Sequence, residues 1–337
     1  MNALTTPLCA TLGTDLPIVQ APIGSATTPS LAAAVCEAGG LGTLALTWVS
    51  AQEARQRVGR TRELTDRPFA VNLVLDFPVD EVLSACLDEQ VPVISTFWGD
   101  PSRVSPRIRQ AGALHLHTVG SVAEARQAVS AGADVIVAQG WEAGGHVRSE
   151  TATMALVPAV VDAVGPVPVI AAGGIGDGRG LAAVLALGAQ AGWIGTRFLT
   201  ALEANTHEEY RRRLAGASAA DTVFTGCFDG GWPHAPHRVL RNSTISAWEA
   251  AGRPASPDRP GENEVVATDR HAGPRRRYNM GIPTAGTSGN IEAMALYAGQ
   301  SVFLAGQPAP AAHIVAAIAR QAADVLSRAS AATGGQQ

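Results

Sequence analysis

Eight short, continuous apolar runs recur along residues 17–198: PIVQAPI (17–23), GLGTLAL (40–46), FAVNLVL (69–75), VPVISTFW (91–98), LHLHTVG (114–120), ADVIVAQG (133–140), VPVIAAGG (167–174) and AGWIGTRF (191–198). They do not alternate with polar residues, which suits parallel strands buried on both faces. Ala-rich helical stretches lie between them, among them SLAAAVCEAGG, SVAEARQAVSAG and GRGLAAVLALGA. Several end in Ala-Gly or Leu-Gly, a C-terminal stop before the next strand. A strand–helix unit repeated eight times predicts a closed (β/α)8 TIM barrel, an α/β fold. The competing arrangement is a doubly wound open sheet. The strand count argues against it, as does the lack of a dinucleotide fingerprint after the first strand.

After Phe198 the pattern changes. Residues 207–225 and 290–304 read as helical, 309–330 reads as an Ala-rich amphipathic helix, and Gly-, Pro- and charge-rich stretches lie between. The expected organisation is a barrel over 1–201, a smaller, mainly helical domain on the substrate side over 202–300, and a C-terminal helix within 301–337 that returns to the barrel.

Composition narrows the chemistry. The chain of 337 residues carries a formal net charge of -4, and all of its 25 basic residues are Arg. Without Lys there is no Schiff-base lysine, no P-loop lysine and no Ser-x-x-Lys pair. Any phosphate must therefore be held by backbone N–H groups and Arg. The densest basic cluster, Arg275-Arg276-Arg277, is isolated and has no interleaved aromatics, so no nucleic-acid partner is expected. Cys9, Cys36, Cys86 and Cys227 are far apart and read as reduced, mostly buried thiols. The N-terminus lacks the basic start and long apolar run of a signal peptide, and no apolar run reaches membrane-spanning length. A cytoplasmic location without membrane association is expected.

In a barrel of this kind the loops after strands seven and eight often hold phosphate. Here they carry AAGGIGDGRG (171–180) and IGTRF (194–198). Gly173 and Gly174 would let the backbone approach an anion closely, and Gly195 and Thr196 would add a second N–H pair and a hydroxyl. Glycines that merely make tight turns are the plainer reading; two such turns at adjacent strand ends favour phosphate.

The loop QGWEAGGHVRSE (139–150) follows strand six and is expected to bring Gln139, Glu142, Gly144, Gly145 and His146 to the catalytic rim. Gly-Gly before His suggests backbone packed against a flat ligand, with the imidazole delivered over it as a base working at neutral pH. Asn72 is a polar amide in an apolar strand, and a buried amide needs partners. His115 and His117 on strand five are read as alternating in facing, so that one could point inward, with satisfied packing the favoured role. His234 and His237 have loose metal-like spacing but no accompanying ligand, and no metal is expected.

These motifs together resemble the nitronate monooxygenases, formerly 2-nitropropane dioxygenases. The matching blocks are PIVQAPIG, AGGLGTL (38–44), QGWEAGGH (139–146), VPVIAAGGIGDG (167–178), AGWIGTRFL (191–199) and YAGQS (297–301), in order over nearly the whole chain. The resemblance implies non-covalent FMN on the barrel. Flavin contacts would come from the backbone of Ala21, Pro22 and Ile23 and the side chains of Asn72 and Gln139, with Gly144 and Gly145 beside them. Gly173, Gly174, Gly195 and Thr196 would hold the phosphate, and His146 would be the catalytic base. The implied reaction is oxidation of alkyl nitronates with O2 to a carbonyl compound and nitrite; a homodimer is left open. Two departures stand on the expected substrate side. Phe97 replaces a His in the family's S-F-H-F-G segment, and Val147-Arg148 replaces the Arg-Gly that commonly follows EAGGH. Alternatives on the same barrel are an NAD(P)H-dependent flavin reductase of quinone or enoyl type and a non-catalytic flavin-binding accessory protein.

Overall fold

The computed structural model describes residues 4–334. The eight apolar runs form eight parallel strands: β1 (Ile18–Gln20), β2 (Thr43–Ala45), β3 (Ala70–Val74), β4 (Val93–Phe97), β5 (Leu114–Val119), β6 (Val135–Gln139), β7 (Val169–Ala172) and β8 (Ala191–Ile194). Neighbours in sequence pair in parallel from β2 to β8, and β8 pairs with β1. The ring is completed between β1 and the residues leading into β2: Leu41 N–H donates to Ile18 O and Gln20 N–H to Leu41 O, both at 2.9 Å. The barrel expectation holds.

Side-chain parity divides the barrel into two zones. Val19, Leu41, Ala70, Val93, Leu116, Val135, Ile170 and Ala191 fill the lumen, and Leu8 and Leu12 of helix α1 (Pro7–Leu12) pack among them, plugging the N-terminal mouth. At the C-terminal ends the inward positions change to Asn72, Phe97, Thr118 and Gln139. The outward faces bury their apolar side chains against α2 (Pro29–Glu37), α3 (Ala51–Arg62), α4 (Asp80–Asp88), α5 (Ser105–Gln110), α6 (Val122–Ala131), α7 (Thr153–Val164) and α8 (Gly178–Ala186). No helix among the described residues is long and apolar enough to cross a membrane. The four cysteines are buried and free.

The stretch after the barrel carries helices α9 (Glu208–Ala215) and α10 (Ser243–Ala250) and also strands that were not anticipated. The helix expected over 207–225 stops at Ala215, and Thr222–Thr225 is strand β9, a β-branched and aromatic run suited to a sheet. It pairs with β10 (His237–Leu240), which pairs in turn with the two-residue strand Gly145–His146. Strands β11 (Val265–Asp269), β12 (Gly273–Arg276) and β13 (Thr287–Gly289) form a second small sheet. The helix expected over 290–304 is not formed; only the 3-10 turns Ile291–Ala293 and Gln300–Leu304 lie there. Between them the backbone bonds to β10, with Leu240 N–H donating to Leu296 O (2.8 Å) and Ala298 N–H to Arg238 O (3.2 Å). Tertiary pairing overrides helix propensity there. Helix α11 (Ala311–Gly334) returns to pack against α8 and α2.

His115 and His117 are two residues apart, so they share a face, and that face is outward. The expectation of alternate facing is thereby corrected. Ser105 Oγ donates to Pro101 O (2.8 Å) and so accepts from His115 Nδ1–H (2.8 Å). Thr96 Oγ1 lies 2.7 Å from both His115 Nε2 and His117 Nδ1. Burial lowers the two imidazoles to about 4 and about 3, so both are neutral.

Two predictions follow from this packing. A Cβ on Gly178 would fall within 3.0 Å of Ala322 N, Ile318 O and Gln321 Cβ of α11, whereas one on Gly59 in α3 meets nothing within 4 Å. Urea denaturation should show Gly178→Ala destabilised by about 2 kcal/mol, and Gly59→Ala stabilised by up to about 1 kcal/mol. Acid should also unfold the protein through its histidines. Their folded pKa values lie below the unfolded 6.5, so the unfolded chain takes up protons that the folded one refuses. Stability is complete above pH 6.5 and falls toward pH 4, with a slope approaching about 1.4 kcal/mol per pH unit for each histidine. H115N/H117N should flatten that slope; an unchanged slope would contradict the assignment.

Candidate active site

The polar zone opens into a cavity of about 1100 Å³ at the C-terminal ends of the strands. Ala21, Pro22, Ile23, Asn72, Gln139, Gly144, Gly145, His146, Gly173, Gly174, Gly195 and Thr196 all line it. The strands bring them together: Ala21 follows β1, Asn72 is on β3, Gln139 ends β6, and the two glycine turns follow β7 and β8. The space is large enough for a nucleotide-sized ligand with a small substrate beside it.

One end of the cavity suits an anion. Gly173 (φ 104°) and Gly174 (φ 71°) take a left-handed turn that other residues resist. Because β7 and β8 are adjacent, the turn at Gly195 lies beside it. Gly195 caps the 3-10 turn Thr196–Thr200, whose first N–H groups lack an intrahelical acceptor. Thr196 Oγ1 accepts from Gly299 N–H at 3.1 Å, which leaves its own proton to donate.

A second region suits the edge of a ring bearing N–H groups. Gln139 Nε2 donates to His146 O at 3.2 Å, while Gln139 Oε1 is buried with no partner. A buried acceptor left unmet costs about 1–3 kcal/mol, so this atom calls for a ligand donor. Asn72 Nδ2 donates to Ser95 Oγ at 3.1 Å, which satisfies one side of that amide.

His146 sits where the barrel meets the appended sheet. The two-residue strand Gly145–His146 pairs with His237 and Arg238 of β10. Its Nδ1 lies 3.2 Å from the Ala235 carbonyl, which can only accept, so Nδ1 carries the proton and Nε2 the lone pair. Tyr297 Oη is 3.3 Å from Nε2 and 3.0 Å from Met280 O, and its one proton can be given to either acceptor. The ring packs on Trp232, with centroids 4.3 Å apart, and next to His237 at 5.3 Å. Burial, reinforced by His237, lowers the imidazole to about 3. It is therefore a neutral acceptor at physiological pH.

Several expected neighbours have other duties. The Glu142 carboxylate accepts from Thr153 N–H at the start of α7 (3.1 Å to each oxygen) and does not line the cavity. Gly144 lines the cavity and also packs on protein, since a Cβ there would come within 3.0 Å of Gly299 N and Ala298 C. Of the two departures, Phe97 faces the cavity, but Val147 is fully buried outside it and donates its N–H to Pro236 O (2.9 Å). His237 accepts from Phe228 N–H through Nε2 (3.2 Å). Among the described residues no group of three His, Cys, Asp or Glu side chains could hold a metal ion.

Sequence reasoning missed Trp232, Met280, Tyr297 and Arg275, all of which line the cavity. Tyr297 heads the YAGQS block, which was the one available signal for it.

The nitronate monooxygenase family profile matches residues 5–84 and 78–321. A nitronate monooxygenase of Paraburkholderia phytofirmans is 34% identical over 92% of this chain and 93% of its own. A (3aS,4S,5R,7aS)-5-hydroxy-7a-methyl-1-oxo-octahydro-1H-indene-4-carboxyl-CoA dehydrogenase of Mycobacterium tuberculosis is 36% identical over 82% of this chain and 75% of its own. The solved structure of nitroalkane oxidase from Streptomyces ansochromogenes superposes with a TM-score of 0.79 at 32% identity, covering 95% of this chain and 99% of that one. The eight-strand barrel, the paired glycine turns and the EAGGH loop thus sit within a match that spans nearly all of the sequence, and the chain belongs to the nitronate monooxygenase family.

Proposed function

We propose that this flavin-dependent oxidoreductase binds FMN in the barrel-mouth cavity and oxidises alkyl nitronates with O2 to a carbonyl compound and nitrite. One observation carries the reading: a neutral imidazole with its lone pair on Nε2 lines the same cavity as an unpartnered amide oxygen and two anion-ready turns. The residues fit the cofactor. The Gly173-Gly174 and Gly195-Thr196 turns would take the phosphate, Gln139 Oε1 a ring N–H, and the backbone of Ala21–Ile23 and the Asn72 amide further parts of the ring. When bound, FMN supplies the electron acceptor that couples nitronate oxidation to O2.

The chain's own residues handle the proton. A neutral nitroalkane gives its α-proton to His146 Nε2, and the carbon–hydrogen electron pair delocalises onto the nitro oxygens as nitronate. The Nδ1–H bond to Ala235 O holds the ring in the tautomer that can accept. The new imidazolium would be costly in this buried place, but the negative nitronate beside it offsets much of that cost. Tyr297, its hydroxyl 3.0 Å from Met280 O, borders Nε2 on the other side. We place residues 202–300 on the substrate side, where β10 grips the strand that carries His146.

A reductase reading draws on the dehydrogenase relative. It would require rapid anaerobic bleaching of the flavin by NADH or NADPH, and slow bleaching is expected. His146→Asn should lower turnover of neutral nitroalkane by about 100-fold or more and spare most turnover of preformed nitronate, both read as nitrite release. Equal loss on both would remove the base assignment. Gln139→Leu relieves the stranded oxygen in the free protein and removes a flavin contact. It should weaken FMN binding by about tenfold, measured by flavin fluorescence on titration; unchanged affinity would separate Gln139 from the ring.

A further inference from the structure

Arg238 heads the fully buried side chains of the described residues by size, and the chemistry above gives it no task. Its Nη2 donates to Trp141 O at 3.1 Å, and its Nε is buried without a partner. Its Cζ lies 4.1 Å from the centre of the Trp141 ring and 5.6 Å from that of Phe224. The Glu142 carboxylate, near enough to favour the charge, is bonded instead to Thr153 N–H. Two aromatic faces and one carbonyl therefore offset a burial cost that an ion pair would ordinarily meet.

Strand register puts the side chain there. In the small sheet Arg238 stands opposite Phe224 of β9 on one side and Gly145 on the other, one step from the pair His237 and His146. Successive side chains of a strand face opposite ways. His237 therefore backs the His146 imidazole, with centroids 5.3 Å apart, while Arg238 points to the other face, over Trp141.

Trp141 opens the loop that ends in His146. Between β6 and the strand Gly145–His146 this loop has no repeating backbone pairing. Separate donors hold its carbonyl groups: Ala143 N–H bonds Gly140 O (3.1 Å), Arg238 Nη2 bonds Trp141 O, and Gln300 N–H bonds Glu142 O (3.0 Å). Of these only Arg238 donates from a side chain, and it joins both ends of the loop, with its guanidinium at Trp141 and its main chain in register with Gly145. Its carbonyl also accepts from Ala298 N–H (3.2 Å), next to Tyr297. A buried cation braced at these points sets how the loop lies on the sheet, and with it the line along which Nε2 meets the cavity.

We propose that Arg238 is a positioning residue for the proton transfer: by holding Trp141 while its main chain pairs with Gly145, it fixes the 141–146 loop and so the aim of His146 Nε2. This rests on the reading of His146 as the base, and the experiment separates the two. Holoenzyme saturated with FMN is assayed for nitrite release from nitroethane, which needs the base, and from preformed ethyl nitronate, which does not. R238M keeps the reach of the side chain and removes its charge and donors. It should lower kcat on nitroethane about tenfold or more, since a shift of about 1 Å in a reacting group is worth about 100-fold. KM, and turnover of ethyl nitronate, should stay within about twofold. R238K keeps the charge and one donor without the planar stack, and should return kcat to within about threefold of wild type. Proton–nitrogen NMR of 15N-histidine-labelled protein reads the same effect without turnover. In R238M the His146 nitrogen signals should move or split, while those of His115 and His117, on the far side of the barrel wall, stay in place and report an intact fold. Equal loss on both probes, no loss on either, or unmoved His146 signals would overturn the assignment. Should R238M fail to fold, R238K decides: a selective loss on nitroethane with shifted His146 signals supports it, and wild-type behaviour in both overturns it. If the wild-type enzyme releases no nitrite from either probe, the nitronate reading falls and the NMR comparison alone decides Arg238.

Discussion

The hydrogen bond from His146 Nδ1 to the Ala235 carbonyl joins the two halves of this molecule at the point where chemistry is possible. It fixes the tautomer, and so decides which nitrogen can take a proton. It also ties the loop after β6 to the appended sheet, because His146 and Gly145 pair with His237 and Arg238. If that bond were lost, the imidazole could rotate, and Nε2 would no longer be held against Tyr297 and the cavity. The apolar wall of Trp232 keeps the ring uncharged, which a base must be before it accepts.

The barrel places the rest. Parallel strands with inward residues that turn from aliphatic to amide at their C-terminal ends make a closed floor and a polar mouth. Adjacent turns after β7 and β8 bring two sets of main-chain donors to one side of that mouth, while Gln139 leaves an acceptor unmet on another. An anion at one end and ring N–H groups at the other are the pattern of demands that a nucleotide-like cofactor satisfies.

Much of this was legible in the sequence because it depends on local rules. Continuous apolar runs with Gly-terminated helices between them marked all eight strands, and the Gly173-Gly174 and Gly195-Thr196 steps at two strand ends marked turns that line the cavity. What escaped depends on long-range pairing. Residues 294–299 read as helical, yet β10 captures them as extended chain, and this puts Tyr297 beside His146. Glu142 was expected at the catalytic rim, but the start of α7 claims its carboxylate. Gly144 lines the cavity, and the close backbone of Ala298 and Gly299, which leaves no room there for a side chain, was equally illegible locally. Arg275 was read only as part of an isolated basic cluster, and the hairpin of β11 and β12 places it on the cavity wall.

The central claim is that His146 is a neutral base with its lone pair on Nε2. Long-range proton–nitrogen NMR of 15N-histidine-labelled protein reads both properties directly. The account predicts an Nδ1–H tautomer for His146 that persists unprotonated well below pH 6.5, toward its lowered value of about 3. An Nε2–H tautomer, or a titration midpoint near 6.5, would contradict it.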